Sequence, residues 1–94
     1  MARGEGSLPV ASLRYAQRYF RSVHHLGQSE RFALSRTLRE MEAAEVLPAP
    51  ETDVPDILPP SLPCFRRRIG ASAWWVYFVM REEHATVVAV AVPP

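Results

Sequence analysis

Pro63-Cys-Phe-Arg-Arg-Arg-Ile-Gly70, then Trp74-Trp-Val-Tyr-Phe-Val-Met80, a charged Arg81-Glu-Glu-His84 and Thr86-Val-Val-Ala-Val-Ala-Val92 decide the fold of this chain. The runs are short, rich in aromatic and branched residues and separated by turn-forming or charged residues. They read as three strands joined by tight turns. The second and third are almost unbroken apolar runs, as expected of strands buried on both faces. In the first, alternation puts Arg66 and Arg68 on one face with Cys64, and Phe65, Arg67 and Ile69 on the other. With Phe65 and Ile69 as the apolar pair, Arg66 and Arg68 face solvent or a ligand. Two guanidinium groups roughly 7 Å apart suit consecutive phosphates of a nucleic acid or the carboxylates of an acidic partner. Charge on an exposed strand also discourages aggregation, so a merely solvated face stays open as the alternative.

Upstream, Val10, Leu13, Ala16, Phe20 and Val23 recur at spacings of three and four, which predicts an amphipathic helix ending near Gly27. Leu8 to Leu13 reads equally as a short strand leading into a helix that begins near Arg14. Ser29 is the expected N-cap of a second helix, with Glu30 in its first turn and Phe32, Leu34, Leu38 and Met41 as its apolar stripe. Arg36 and Glu40 are spaced to pair across one turn. A link of Gly27 and Gln28 predicts an antiparallel helical hairpin that needs a sheet to cover. Residues 46–63 hold six of the nine prolines together with Glu51, Asp53 and Asp56, so neither a helix nor a central strand persists there. This proline-rich loop is either a stiff surface linker or an acidic flap that tempers the arginine strand until a partner displaces it.

With 94 residues and 48% hydrophobic content the chain can bury one modest core, so a single α+β domain over residues 1–94 is expected. A net charge of +1 is too small to mark a nucleic-acid binder in bulk, and any such contact must use a local patch. One cysteine, Cys64, leaves no internal disulfide and no thiolate cluster, which fits a reducing cytoplasm. No signal peptide is evident, and the longest apolar run, Ala85 to Val92, is too short to span a bilayer. His24 and His25 diverge by about 100° on a helix, and no further ligand sits at metal spacing. No metal and no cofactor are expected. A glycine-rich phosphate loop, a serine elbow and a carboxylate pair are all missing from the sequence. An enzyme built from these residues would work with arginines, Tyr77 and a nucleophile brought by the substrate, as an RNA 2′-hydroxyl is for a ribonuclease.

The arginine strand, the aromatic strand and the final apolar strand together resemble the C-terminal sheet of RelE/ParE-type toxins of type II toxin–antitoxin systems. The helical hairpin and proline-rich segment before them follow the same family's order. The resemblance covers residues 8 to 92 and implies that Leu8 to Leu13 is a short N-terminal strand. It further implies that the two-helix hairpin packs on a three-stranded antiparallel sheet. It implies a toxin that inhibits translation by ribosome-dependent mRNA cleavage, held by a cognate antitoxin protein, with the ribosome and mRNA as its other partners. Arg66 and Arg68 then fall at the catalytic positions, and Arg67, Trp75 and Tyr77 at RNA- or partner-binding ones, aromatics serving to stack on a base. The next strand of the RelE branch carries an arginine after an aromatic, where this chain has Trp75. The basic and aromatic tail is replaced by Pro93 and Pro94. Those departures keep open a protein-binding member of the fold without nuclease activity, such as a gyrase inhibitor or a diverged interaction module.

Overall fold

The computed structural model of the chain describes residues 13–82 and 84–94. In order these form β1 (Leu13–Tyr15), α1 (Gln17–Ser22), a 3-10 turn (Val23–His25), α2 (Gln28–Ala43), β2 (Asp53–Leu58), β3 (Leu62–Arg68), β4 (Trp75–Met80) and β5 (Ala85–Ala91). The class is α+β. The sheet runs β1-β5-β4-β3-β2, antiparallel except where β1 lies parallel to β5.

The three expected C-terminal strands are present as β3, β4 and β5, but the sheet has five strands among the described residues rather than three. The extra antiparallel strand, β2, comes from within the proline-rich 46–63 segment. Pro55 is tolerated because β2 is an edge strand, where a missing N–H costs no ladder bond. The first strand is Leu13–Tyr15; residues 8–12 lie outside the described residues. The first helix therefore starts at Gln17, later than the periodicity from Val10 suggests, and it tightens into a 3-10 turn after Ser22.

The N-cap of α2 is Gly27 rather than Ser29. Its N–H donates to Glu30 Oε1 at 2.7 Å, while Glu30 Oε2 accepts the Trp74 indole N–H at 2.9 Å. One carboxylate thus satisfies an otherwise free helix-start donor and ties α2 to the entry of β4. Leu34 and Met41 are buried as expected, with Leu38 partly buried, whereas Phe32 is 76% exposed. It sits one helical step outside the stripe, and Thr37 takes the buried position instead.

The main core lies between the helices and the sheet, centred on Met41, Ile69, Val76, Phe78 and Val87. Burying each such side chain contributes about 1.5–3 kcal/mol. A second cluster, Leu58, Cys64, Tyr77, Val79, Val88 and Ala89, occupies the opposite sheet face. Val88 and Ala89 both belong to it because a bulge opposite Tyr77 and Phe78 interrupts the alternation of β5. Both faces of β4 and β5 are thus covered by apolar clusters, which is why neither strand shows a period of two in sequence. The turn from β3 to β4 needs Gly70, whose φ of 56° side chains with a Cβ rarely adopt.

Candidate functional site

Strand alternation in β3 holds as expected: Phe65 packs in the main core, and Cys64 and Arg66 belong to the opposite face. The arginines themselves are placed differently from the expectation of a free basic strip. Arg67 is buried and forms a two-pronged pair with Asp53, its ladder partner on β2, through Nε to Oδ1 at 2.6 Å and Nη2 to Oδ2 at 2.9 Å. Asp53 also accepts from the Ala49 N–H at 2.6 Å and from the Thr52 hydroxyl at 3.1 Å. Four donors saturate the carboxylate, which is what a buried charge requires. Arg67 therefore clamps β2 to β3, and its remaining surface lines the groove below α2.

On the other face Arg66 stacks its guanidinium over Trp75, 4.3 Å from the ring centroid, and approaches Asp56 at 3.0 Å. That approach is oblique, so the buried Nε–H has no aligned acceptor. Arg68 is exposed, and its guanidinium wraps the β3–β4 turn, donating to the Ser72 carbonyl at 2.7 Å and the Ala71 carbonyl at 3.3 Å. Trp75 is half-buried beneath Arg66, and Tyr77 is buried in the second cluster rather than open to a partner. Burial, helped by the negative charge of Asp56, pushes the Tyr77 phenol up; burial first and Asp56 second also raise the Cys64 thiol, against an opposing pull from the Leu58 backbone and Arg66. Both groups stay neutral and unreactive at neutral pH.

The acidic segment beside the arginines is therefore real, and it is an ordered strand. Its outer edge is closed. The Ile69 N–H donates to the Trp74 carbonyl, so the N–H groups of Phe65 and Arg67 point to β4 and those of Cys64 and Arg66 to β2. Across the ladder, Asp53, Pro55 and Ile57 are left facing outward. Asp53 donates to the Ala49 carbonyl at 2.9 Å, Pro55 has no N–H, and Ile57 donates to Asp56 Oδ1 at 2.7 Å. No outward donor remains on β2 for an added strand.

A groove of about 610 Å³ opens between α2 and the β2–β3 side of the sheet. Phe32, Arg36 and Glu40, at successive i, i+4 positions, line it from α2, and Glu51, Thr52 and Arg68 line it opposite. Arg36 and Glu40 share this wall without forming an ion pair within 4 Å among the described residues. Sequence reading missed the groove because Phe32 looked like a core residue; its offset from the Leu34, Leu38 and Met41 rows was the available signal. Among the described residues no cluster of three or more side chains could hold a metal, and no helix is long and apolar enough to cross a membrane. Compared with family models, curated proteins and solved structures, the chain finds no match.

Proposed function

We propose that the chain acts by binding a protein partner and does not cleave RNA, in the manner expected of a non-nuclease member of the family it resembles. The observation that carries this is that each arginine of β3 is held by contacts within the chain. Arg67 is neutralised by Asp53, Arg66 is held between Asp56 and Trp75, and Arg68 is tied to two turn carbonyls. Phosphoryl-transfer catalysis needs donors free to meet the charge that develops on the phosphorus oxygens. Arg67 is fully engaged by Asp53, while Arg66 and the exposed Arg68 are each held by contacts within the molecule.

The groove beside α2 supports the same reading. An exposed phenylalanine flanked by Arg36, Glu40, Glu51 and Arg68 offers an apolar anchor within a mixed-charge rim, the composition of a protein interface rather than of a phosphate track. The closed β2 edge directs a partner to this side-chain surface and away from strand addition there. A protein antitoxin is the kind of partner that the resemblance suggests.

A coupled in vitro translation reaction with the purified chain, followed by primer extension on the mRNA, tests the proposal. Full-length mRNA is expected. Ribosome-dependent cuts that vanish in Arg66→Ala would overturn it in favour of a RelE-like nuclease.

A further inference from the structure

The outer side of α2 carries a row that is complementary to itself when reversed. Phe32, Arg36 and Glu40 follow at steps of four and therefore share one side of the helix, and Ala43 ends that side three residues on. All four are exposed. The row thus runs apolar, positive, negative, apolar, and the exposed Val46 follows just beyond the helix end.

Arg36 and Glu40 do not pair with each other although they stand one turn apart. The favourable order within a helix puts the acid N-terminal to the base, and here the order is reversed. The remaining charges of α2 belong to other sides. Glu30 is engaged by the Gly27 N–H and the Trp74 indole. Arg31 lines the notch against α1 with Leu34, Ser35 and Leu38, and Arg39 and Glu42 continue those rows at steps of four. Burial and then the charge of Glu42 raise the Tyr15 phenol, which places Glu42 on the β1 side of α2, away from the groove.

We propose that this row is a contact between two copies of the chain, with their α2 helices antiparallel across a two-fold axis. A rise of 1.5 Å per residue separates Arg36 from Glu40 by about 6 Å along the helix. An axis level with Leu38, midway between them, sets Arg36 level with Glu40 of the second copy and forms the reciprocal pair at the same time. The same axis brings the Phe32 ring level with the apolar end of the second helix, where Ala43 and Val46 are exposed. A parallel arrangement would set Arg36 against Arg36 and Glu40 against Glu40, so charge selects the antiparallel one. This inference rests on the reading of the groove side as a protein interface and adds that a second copy occupies it, in competition with any other protein that needs Phe32.

Sedimentation velocity of the full chain over a concentration series is the test. The row is short, so self-association is expected at the weak end of specific contacts, developing between about 10 µM and 1 mM. Arg36→Glu and Glu40→Arg should each weaken it about tenfold, since each turns two attractions into two repulsions. Phe32→Ser should weaken it to a similar extent by removing the apolar contacts at both ends. An equal mixture of the Arg36→Glu and Glu40→Arg chains should recover association as a mixed dimer, because every facing pair is again of opposite sign. The substituted side chains are exposed, and an unchanged melting temperature shows that the variants are folded. A chain that stays monomeric over the whole series, or a mixture that associates no more tightly than its separate components, overturns the dimer and leaves the proposal of a different protein partner standing. Ribosome-dependent mRNA cuts would remove that proposal without altering the sedimentation result.

Discussion

Arg66 and Arg67 are neighbours on one strand, and each meets an aspartate from β2, yet the two pairs behave as opposite kinds of interaction. Arg67 and Asp53 sit directly across the ladder beneath α2, with two aligned bonds and almost no exposed surface. Arg66 and Asp56 meet diagonally on the other face, where one contact is misaligned and the guanidinium rests on an indole. Burial raises the stakes of the first pair, because a charge left alone there cannot recover its hydration. Partial exposure lowers those of the second, because water still reaches both groups. The same residue type can thus be a structural clamp or a soft surface contact one position apart.

Removing one side of the buried pair should have the largest effect. Arg67→Met strands Asp53 and is expected to cost about 3–5 kcal/mol in chemical denaturation, while pairing it with Asp53→Leu should recover most of that loss. Equal losses in the single and double variants would refute the clamp. Arg66→Ala should cost only about 1 kcal/mol, the sum of a cation–π contact and a partly screened ion pair. A loss as large as that of Arg67→Met would erase the contrast between the faces.

The Arg66 face also carries a pH signature. Cys64 and Tyr77 have pKa values raised by burial, so the folded chain holds their protons more tightly than the unfolded one. The stability this gives is complete below the ordinary thiol and phenol values, from roughly pH 8.5 to 10, and is lost as pH rises through the raised values. Melting temperature should therefore fall on the alkaline side. Asp56→Asn should lower both pKa values, and Arg66→Ala should raise them further. Shifts of the same sign in the two variants would contradict the assigned causes. The smallest effect is expected from Phe32→Ser, whose exposed ring should leave stability within about 0.5 kcal/mol of the parent while weakening capture of a groove partner. A clear loss of stability would return Phe32 to the core.

Much of the fold was legible in local pattern. Continuous apolar runs located β4 and β5, alternation assigned the two faces of β3, and three- and four-residue spacing found most of the buried side of α2. The site was harder to see. Asp53 and Asp56 were visible as acids near the arginines, but nothing in their spacing states that Asp53 lies opposite Arg67. Pro55 argued against a central strand, and β2 is an edge strand, where proline is permissible. Phe32 belonged to the apolar set by composition and left it by a single helical step.

By itself the sequence determined the α+β class, the order of helices and C-terminal strands, and which β3 side chains share a face, because periodicity is a property of the local backbone. Tertiary structure alone decided that the proline-rich segment becomes a fifth strand and that two of the three β3 arginines are matched by its aspartates. Strand register joins residues far apart in the chain, and the energy of a charged pair depends on how water is excluded around it. Neither quantity is written in the spacing of residues along one strand.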